Sequence, residues 1–324
     1  MLELFRRDQP IGYIFLFLYT ILLRAPTFIS ETNWSPLASS AFSNLVYNMT
    51  GYTSVAAQVT GTVLIFIHAV LINMMVAENR ITRENSLFPG LFYVLFSTLL
   101  PDFNYLSPAL MANTFIILTL YNIFNSYKKS GNCSEVFNAG IFIGIAMLFD
   151  FSYAIFLICG FVGLLIVRSF RFVKRIQFLL GFVIPIFLGG TYYFWMGHLD
   201  DFLQTFTTNI SWLDWAGNIN SQFFPKVGIL IFLMLFVIFN YSNYGKKNNV
   251  HAMRKVDVMF WFLILPVTTF LFQTGIRLDH ALIVAPPMGI LLGFSVLNIQ
   301  NKMIAEVVHL VLISISLLFQ YILL

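Results

Sequence analysis

Eleven apolar runs divide the chain, and its Lys and Arg residues fall almost entirely into alternate gaps between them. A helix needs roughly 20 apolar residues to cross the hydrocarbon core of a bilayer, so this regularity predicts a polytopic membrane protein with a readable orientation. The composition agrees, because 59% of the 324 residues are hydrophobic and only 10% are charged. So few charges do not cover a water-exposed surface. The predicted fold class is an all-α transmembrane bundle.

The predicted spans lie at about 10–24, 54–77, 87–101, 108–127, 136–149, 151–167, 176–197, 226–241, 257–274, 281–298 and 305–324. Asp150 separates two of them, either at a tight outward turn or inside one long bent element. We predict a single transmembrane domain over 1–324, with no soluble domain. Its two long outward loops are 25–53 and 198–225.

The charges orient the bundle. Of the 18 basic residues, 15 lie in gaps on one side, which the positive-inside rule assigns to the cytoplasm. The other side holds Arg24, Lys226 and Arg277 together with Glu31, Asp102, Asp150, Asp200, Asp201, Asp214 and Asp279. We therefore predict a multi-pass membrane protein with a cytoplasmic N-terminus. The net charge of +4 reflects topology and contact with anionic lipid, and no nucleic-acid partner is expected.

The first outward loop contains a helix-start signal, because Ser35 is followed by a proline. The pattern predicts an amphipathic helix within 35–49 in the outer interface, with Trp34 and Tyr47 at headgroup depth. Two interpretations remain open. The loop is either an interfacial tether, or it places Glu31 as a catalytic carboxylate at the mouth of a cavity.

Two further outward segments carry charged side chains. Adjacent carboxylates on a helix point about 100° apart, so Asp200 and Asp201 indicate a solvated helix start rather than a shared metal clamp. Arg277 and His280 would share one face of a helix, and the arginine fork suits phosphate oxygens. The alternative is a pair between Arg277 and Asp279, with His280 as a neutral bystander.

Several of these features occur in an order known from one family. Arg24 and Pro26 close the first span, Glu31 follows, a small-residue helix covers 137–146, and an outward Arg277 precedes paired prolines. In this the chain resembles the GT-C superfamily of integral-membrane glycosyltransferases, which take sugars from polyprenyl-phosphate carriers on the outer face. It departs from the family pattern where an asparagine, Asn113, stands in place of a carboxylate. The chain also resembles a group of Bacteroidota inner-membrane proteins.

The resemblance implies roles for five residues. Glu31 would be the general base, and Asp102 a second acid or the ligand of a divalent metal. Arg24, Arg277 and His280 would hold the carrier phosphate. The implied partners are the lipid bilayer, a polyprenyl-phosphate-linked sugar and other membrane proteins. An outward cavity bordered by these five residues would favour the enzyme.

Two other classes of function remain open. A non-catalytic subunit that scaffolds an envelope complex fits the smaller number of acidic residues than in the family pattern. A secondary transporter needs ionisable groups near the midplane, where only His68 and His309 clearly fall. Of these, His68 is favoured as a packed, hydrogen-bonded residue. Motifs for ATP binding, zinc proteolysis and serine hydrolysis do not occur in the sequence.

Overall fold

The computed structural model describes residues 2–29, 40–82, 84–128, 134–167, 172–208, 222–245, 250–272 and 277–322. Within these ranges the chain forms helices and no strand, which confirms the all-α class. The α-helices are α1 (Pro10–Ile29), α2 (Ala41–Thr50), α3 (Val55–Glu78), α4 (Phe88–Ser97), α5 (Pro108–Lys128), α6 (Ser134–Phe149), α7 (Phe156–Val167), α8 (Phe172–Trp195), α9 (Leu199–Thr208), α10 (Phe223–Phe239), α11 (Tyr241–Gly245), α12 (Val250–Ile264), α13 (Ala285–Leu297) and α14 (Lys302–Ile322). Short 3₁₀ segments lie at Leu2–Phe5, Pro101–Phe103, Phe151–Ile155, Leu265–Phe272 and Leu278–Val284.

Apolar helices lie at all eleven predicted positions. Seven stretches of the described chain are long and apolar enough to cross a membrane: Pro10–Phe28, Val55–Glu78, Pro108–Ser126, Phe172–Trp195, Val250–Phe272, Leu278–Leu297 and Lys302–Tyr321. Four shorter apolar helices complete the set: Phe88–Ser97, Ser134–Phe149, Phe151–Val167 and Phe223–Phe239. The chain is therefore a polytopic helical bundle.

The helix pair α4 and α13 forms the centre of the bundle. Every residue of α4 is buried, as are Ala285–Val296 of α13. The two helices touch backbone to backbone, because a Cβ added to Gly289 would lie 2.4 Å from the Cα of Tyr93. At Gly293 the same addition would lie 2.9 Å from the carbonyl carbon of Phe88. Small residues at a spacing of four allow this close approach.

The connection after α6 is a tight turn. Asp150 has an extended backbone, with φ −150° and ψ 118°, and its Oδ1 accepts the N–H of Ser152 at 2.9 Å. The chain then runs through the 3₁₀ segment Phe151–Ile155 into α7. Of the two arrangements predicted for Asp150, the structure has the turn.

The first outward loop contains the helix α2 in the region where the sequence predicts a helix. Ser40 has an extended backbone and is the N-cap of α2, which begins at Ala41. The predicted start at Ser35, and Trp34, lie outside the described residues. The side chain of Tyr47 is buried against the protein, and its hydroxyl donates to the carbonyl of Leu106 at 2.8 Å. Its placement at headgroup depth stays a prediction.

The second outward loop begins as predicted. The helix α9 starts at Leu199, with Asp200 and Asp201 in its first turn. His198 Nδ1 lies 3.0 Å from Asp201 Oδ2, and both side chains are exposed. The solvated helix start is confirmed for these two carboxylates.

Candidate functional site

Charged side chains from distant parts of the chain meet at one end of the bundle. We call this group the polar cluster, and its members are Asp102, Asp150, Lys226, Arg277, Asp279 and His280. The 3₁₀ segments Pro101–Phe103 and Leu265–Phe272 both pack against the segment Leu278–Val284. The charge pattern predicts that this end faces outward.

One ion pair joins α10 to the connection between α4 and α5. Lys226 Nζ lies 2.7 Å from Asp102 Oδ2. The lysine is buried and the carboxylate is about one third exposed. Asp102 in turn is within electrostatic range of Asp279, which links this pair to the rest of the polar cluster.

The second ion pair lies within one segment. Arg277 Nη2 is 3.0 Å from Asp279 Oδ2, and Nε is 3.1 Å from Oδ1. Two parallel contacts of this kind are the strong, geometrically specific form of the arginine–carboxylate interaction. Arg277 has an extended backbone just before the 3₁₀ segment, so it does not share a helical face with His280.

His280 is buried beneath these charges. Its Nε2 lies 2.9 Å from the hydroxyl of Thr269, and its Nδ1 lies 4.0 Å from Asp150 Oδ2. The ring of Phe270 meets the imidazole edge to face at 5.0 Å. The side chain is 3% exposed, so His280 is held by its neighbours rather than open to solvent.

Asn113 fixes the segments that carry the polar cluster. Its Nδ2 donates to the carbonyl of Leu282 at 2.8 Å, and its Oδ1 lies 2.8 Å from the hydroxyl of Tyr153. Tyr153 and Leu282 belong to the 3₁₀ segments next to Asp150 and His280. An amide has both a donor and an acceptor, which a carboxylate has not, so the asparagine suits this position.

The helix α2 lies beside the polar cluster. Burial raises the pKa of the Tyr47 phenol well above its ordinary value. The charges of Asp279 and Asp150 raise this pKa further, and Arg277 lowers it. The buried face of α2 is therefore in the field of the cluster, while Met49 on the opposite face is exposed.

Arg24 in α1 contacts the connection between α4 and α5, which carries Asp102. Its guanidinium is fully buried, and Nη2 donates to the carbonyl of Asn104. Within the described ranges, its Nε and Nη1 have no hydrogen-bond partner. The backbone of Gly61 leaves room for the guanidinium, since a Cβ added there would lie 3.2 Å from Nη1 and Nη2.

Three of the five predicted site residues come together in the polar cluster: Asp102, Arg277 and His280. Arg24 contacts the connection that carries Asp102, and Glu31 lies outside the described residues. The sequence placed Asp150, Lys226 and Asp279 on the predicted outer side but did not assign them to the site. Nothing in the sequence pattern pointed to Thr269 or to the buried hydroxyl of Tyr47.

A metal site is not formed by the described part of the chain alone. Across those ranges, no group of three His, Cys, Asp or Glu side chains is close enough to hold an ion. Two carboxylates of the polar cluster, Asp102 and Asp279, are each paired with a cation of the chain. The described polar cluster is therefore a set of ion pairs around a buried histidine.

A solved structure has a similar helical architecture. The chain is similar to the crystal structure of ArnT from Cupriavidus metallidurans bound to undecaprenyl phosphate, with a TM-score of 0.54 and 12% identity. The likeness covers 92% of this chain and 57% of the ArnT chain, and at this identity it shows the fold. No family model and no curated protein matches the sequence.

Proposed function

We propose that the chain is a membrane glycosyltransferase that takes a sugar from a polyprenyl-phosphate carrier on the outer face. One observation carries the proposal: Asp102, Arg277 and His280 converge in one polar cluster at one end of a GT-C-like fold. The similar ArnT structure contains undecaprenyl phosphate, an anionic lipid of the proposed carrier class. An outward-facing cluster suits a carrier whose phosphate lies at the membrane surface.

The proposed reaction needs a base and a site for the leaving phosphate. The acceptor hydroxyl oxygen bonds to the anomeric carbon, and the bond from that carbon to the carrier phosphate oxygen breaks. The hydroxyl proton passes to a carboxylate, for which we propose Glu31 in the first outward loop. The departing phosphate gains negative charge, which nearby cations stabilise in a water-poor site.

Arg277 and Lys226 are the best-placed cations for the phosphate. The Arg277 side chain is 22% exposed and that of Lys226 is 10% exposed, whereas Arg24 is fully buried. An incoming phosphate would meet these two first. Arg24 and His280 lie deeper in the protein and contribute through the positive charge that they add to the site. Asp102 serves in this arrangement as the partner that holds Lys226 in place.

Binding and transfer can be tested separately. In nanodiscs, wild-type protein should bind undecaprenyl phosphate, and Arg277→Ala should weaken binding at least tenfold. Lys302→Met is the control, because Lys302 forms an exposed pair with Glu3 elsewhere on the chain. Glu31→Gln should keep binding but abolish transfer. Unchanged transfer by Glu31→Gln would overturn the base assignment, and absence of binding by wild-type protein would overturn the proposed function.

One observation favours a second candidate, a non-catalytic subunit of an envelope complex. Asp102 and Asp279 already neutralise Lys226 and Arg277, so the polar cluster is stable without a ligand. A subunit of this kind would fold normally and bind no carrier lipid. The transporter alternative gains no such support, because both ring nitrogens of His68 are hydrogen-bonded at 2.7 Å to Tyr93 and Thr114.

A further inference from the structure

Thr269 determines which ring nitrogen of His280 carries a proton. The hydroxyl of Thr269 has one hydrogen, which it donates to the carbonyl of Pro266 at 2.6 Å. The same oxygen lies 2.9 Å from Nε2 of His280. Because the hydroxyl hydrogen is already used, its oxygen must accept in this contact and Nε2 must donate. The hydrogen-bond pattern therefore assigns a proton to Nε2 of His280.

Asp150 faces the other ring nitrogen. Its Oδ2 lies 4.0 Å from Nδ1 of His280, and its Oδ1 is held by the N–H of Ser152. In a neutral imidazole with a proton on Nε2, Nδ1 presents a lone pair. A lone pair and a carboxylate oxygen that face each other repel. A proton between Nδ1 and Oδ2 converts this repulsion into attraction.

The charge balance of the polar cluster favours the same proton. Asp102 pairs with Lys226, and Asp279 pairs with Arg277. In the described ranges Asp150 has no Lys or Arg partner within ion-pair distance, only His280. An unbalanced charge in a largely buried site is unfavourable. One bound proton balances it.

No other titratable group replaces His280 in this role. The groups that face its ring are Asp150, from the turn after α6, and Asp279, from its own segment. Thr269 and Phe270 contact the ring from the segment Leu265–Phe272 and carry no charge. The neighbouring α5 contributes Asn113, which is also neutral.

We propose that His280 and Asp150 hold one proton between them, and that Asp150 and Thr269 are positioning residues for the His280 ring. This statement concerns the folded protein and needs no ligand. Its part in catalysis rests on the proposed function. When the sugar leaves the carrier, the bound proton keeps Asp150 from adding a net negative charge beside Arg277 and Lys226, where the departing phosphate gains its own.

Nitrogen NMR of histidine-labelled protein tests the proposal directly. The chain contains five histidines, and His280→Gln assigns the signals of His280. We expect a protonated Nε2 throughout, and a proton on the Nδ1 side that persists to a higher pH in wild-type protein than in Asp150→Asn. The difference should be about one pH unit or more, as for a cation beside a carboxylate. Thr269→Val should allow the other neutral tautomer.

Two controls keep the test specific. Asp201→Asn removes the carboxylate of the exposed pair with His198 and should leave His280 unchanged. Thr268→Val removes a neighbouring, exposed hydroxyl that donates to Leu265. A neutral Nδ1–H tautomer in wild-type protein would overturn the proposal, and this measurement needs no variant to fold. The proposal would also be overturned if Asp150→Asn folds and its His280 titrates as in wild-type protein. Because no carrier or sugar is present, failure here is distinct from failure of the proposed function.

Discussion

Lys226 and Asp102 form a 2.7 Å ion pair although 124 positions separate them in the chain. The pair ties the start of α10 to the Pro101–Phe103 segment. It also places a buried lysine in the polar cluster. The pattern of outward charges did not reveal this contact.

Removal of Asp102 should therefore destabilise the bundle. Asp102→Ala leaves Lys226 buried without its carboxylate, and we expect a loss of about 1–3 kcal/mol. Asp102→Asn, which keeps an acceptor, should lose less. Thermal unfolding in detergent measures both. Glu3→Gln is the matched control, since its exposed pair with Lys302 should contribute less than about 1 kcal/mol. Equal losses for Asp102→Ala and Glu3→Gln would contradict the prediction.

Arg24 should behave in the opposite way. Its buried guanidinium makes one hydrogen bond, to the carbonyl of Asn104, and has no carboxylate partner in the described chain. A buried charge without a partner costs free energy, and even a buried ion pair can often be replaced by apolar side chains of similar volume without loss of stability. Arg24→Met should therefore keep or raise the unfolding temperature while it lowers transfer. A clearly lower unfolding temperature would show that Arg24 is structural.

The spans could be predicted from the sequence because the length and polarity of a run are local properties. The helices at 134–149 and 151–167 were found in this way, and so was the turn at Asp150 as one of two alternatives. The gathering of acidic residues in alternate gaps also indicated which end carries the polar cluster. Arg277 and His280 were identified because they lie close together in the chain.

The pairings within the polar cluster could not be predicted. The partner of Lys226 and the acceptor for Tyr47 come from segments far away in the chain, at Asp102 and Leu106. Only the packing of α2, α10 and the 3₁₀ segments brings them together. The role of Thr269 depends on the geometry of one hydroxyl, which residue spacing does not encode.

Tyr47 provides a test of how α2 is held. Tyr47→Phe removes the donor to the Leu106 carbonyl, and the loss of this buried hydrogen bond should be about 1–3 kcal/mol. Tyr52→Phe is the control, because Tyr52 is 45% exposed. The pKa of Tyr47 is raised above the ordinary value of about 10, so the phenol stays a neutral donor below that pH. The stability difference between wild type and Tyr47→Phe should therefore be constant from about pH 6 to 9 and change only under more alkaline conditions.

The crossing of α6 and α8 should tolerate no added side chain. A Cβ on Gly140 would lie 2.2 Å from the carbonyl oxygen of Phe178, and one on Gly181 would lie 2.3 Å from that of Phe137. Because backbone atoms cannot give way as a flexible side chain can, Gly140→Leu should separate the helices and lower stability by about 1–3 kcal/mol or more. Gly228→Leu is the matched control in α10, where an added Cβ meets nothing within 4 Å. Thermal unfolding of the two variants decides the point, and a stable Gly140→Leu protein would mean that α6 and α8 do not pack this closely.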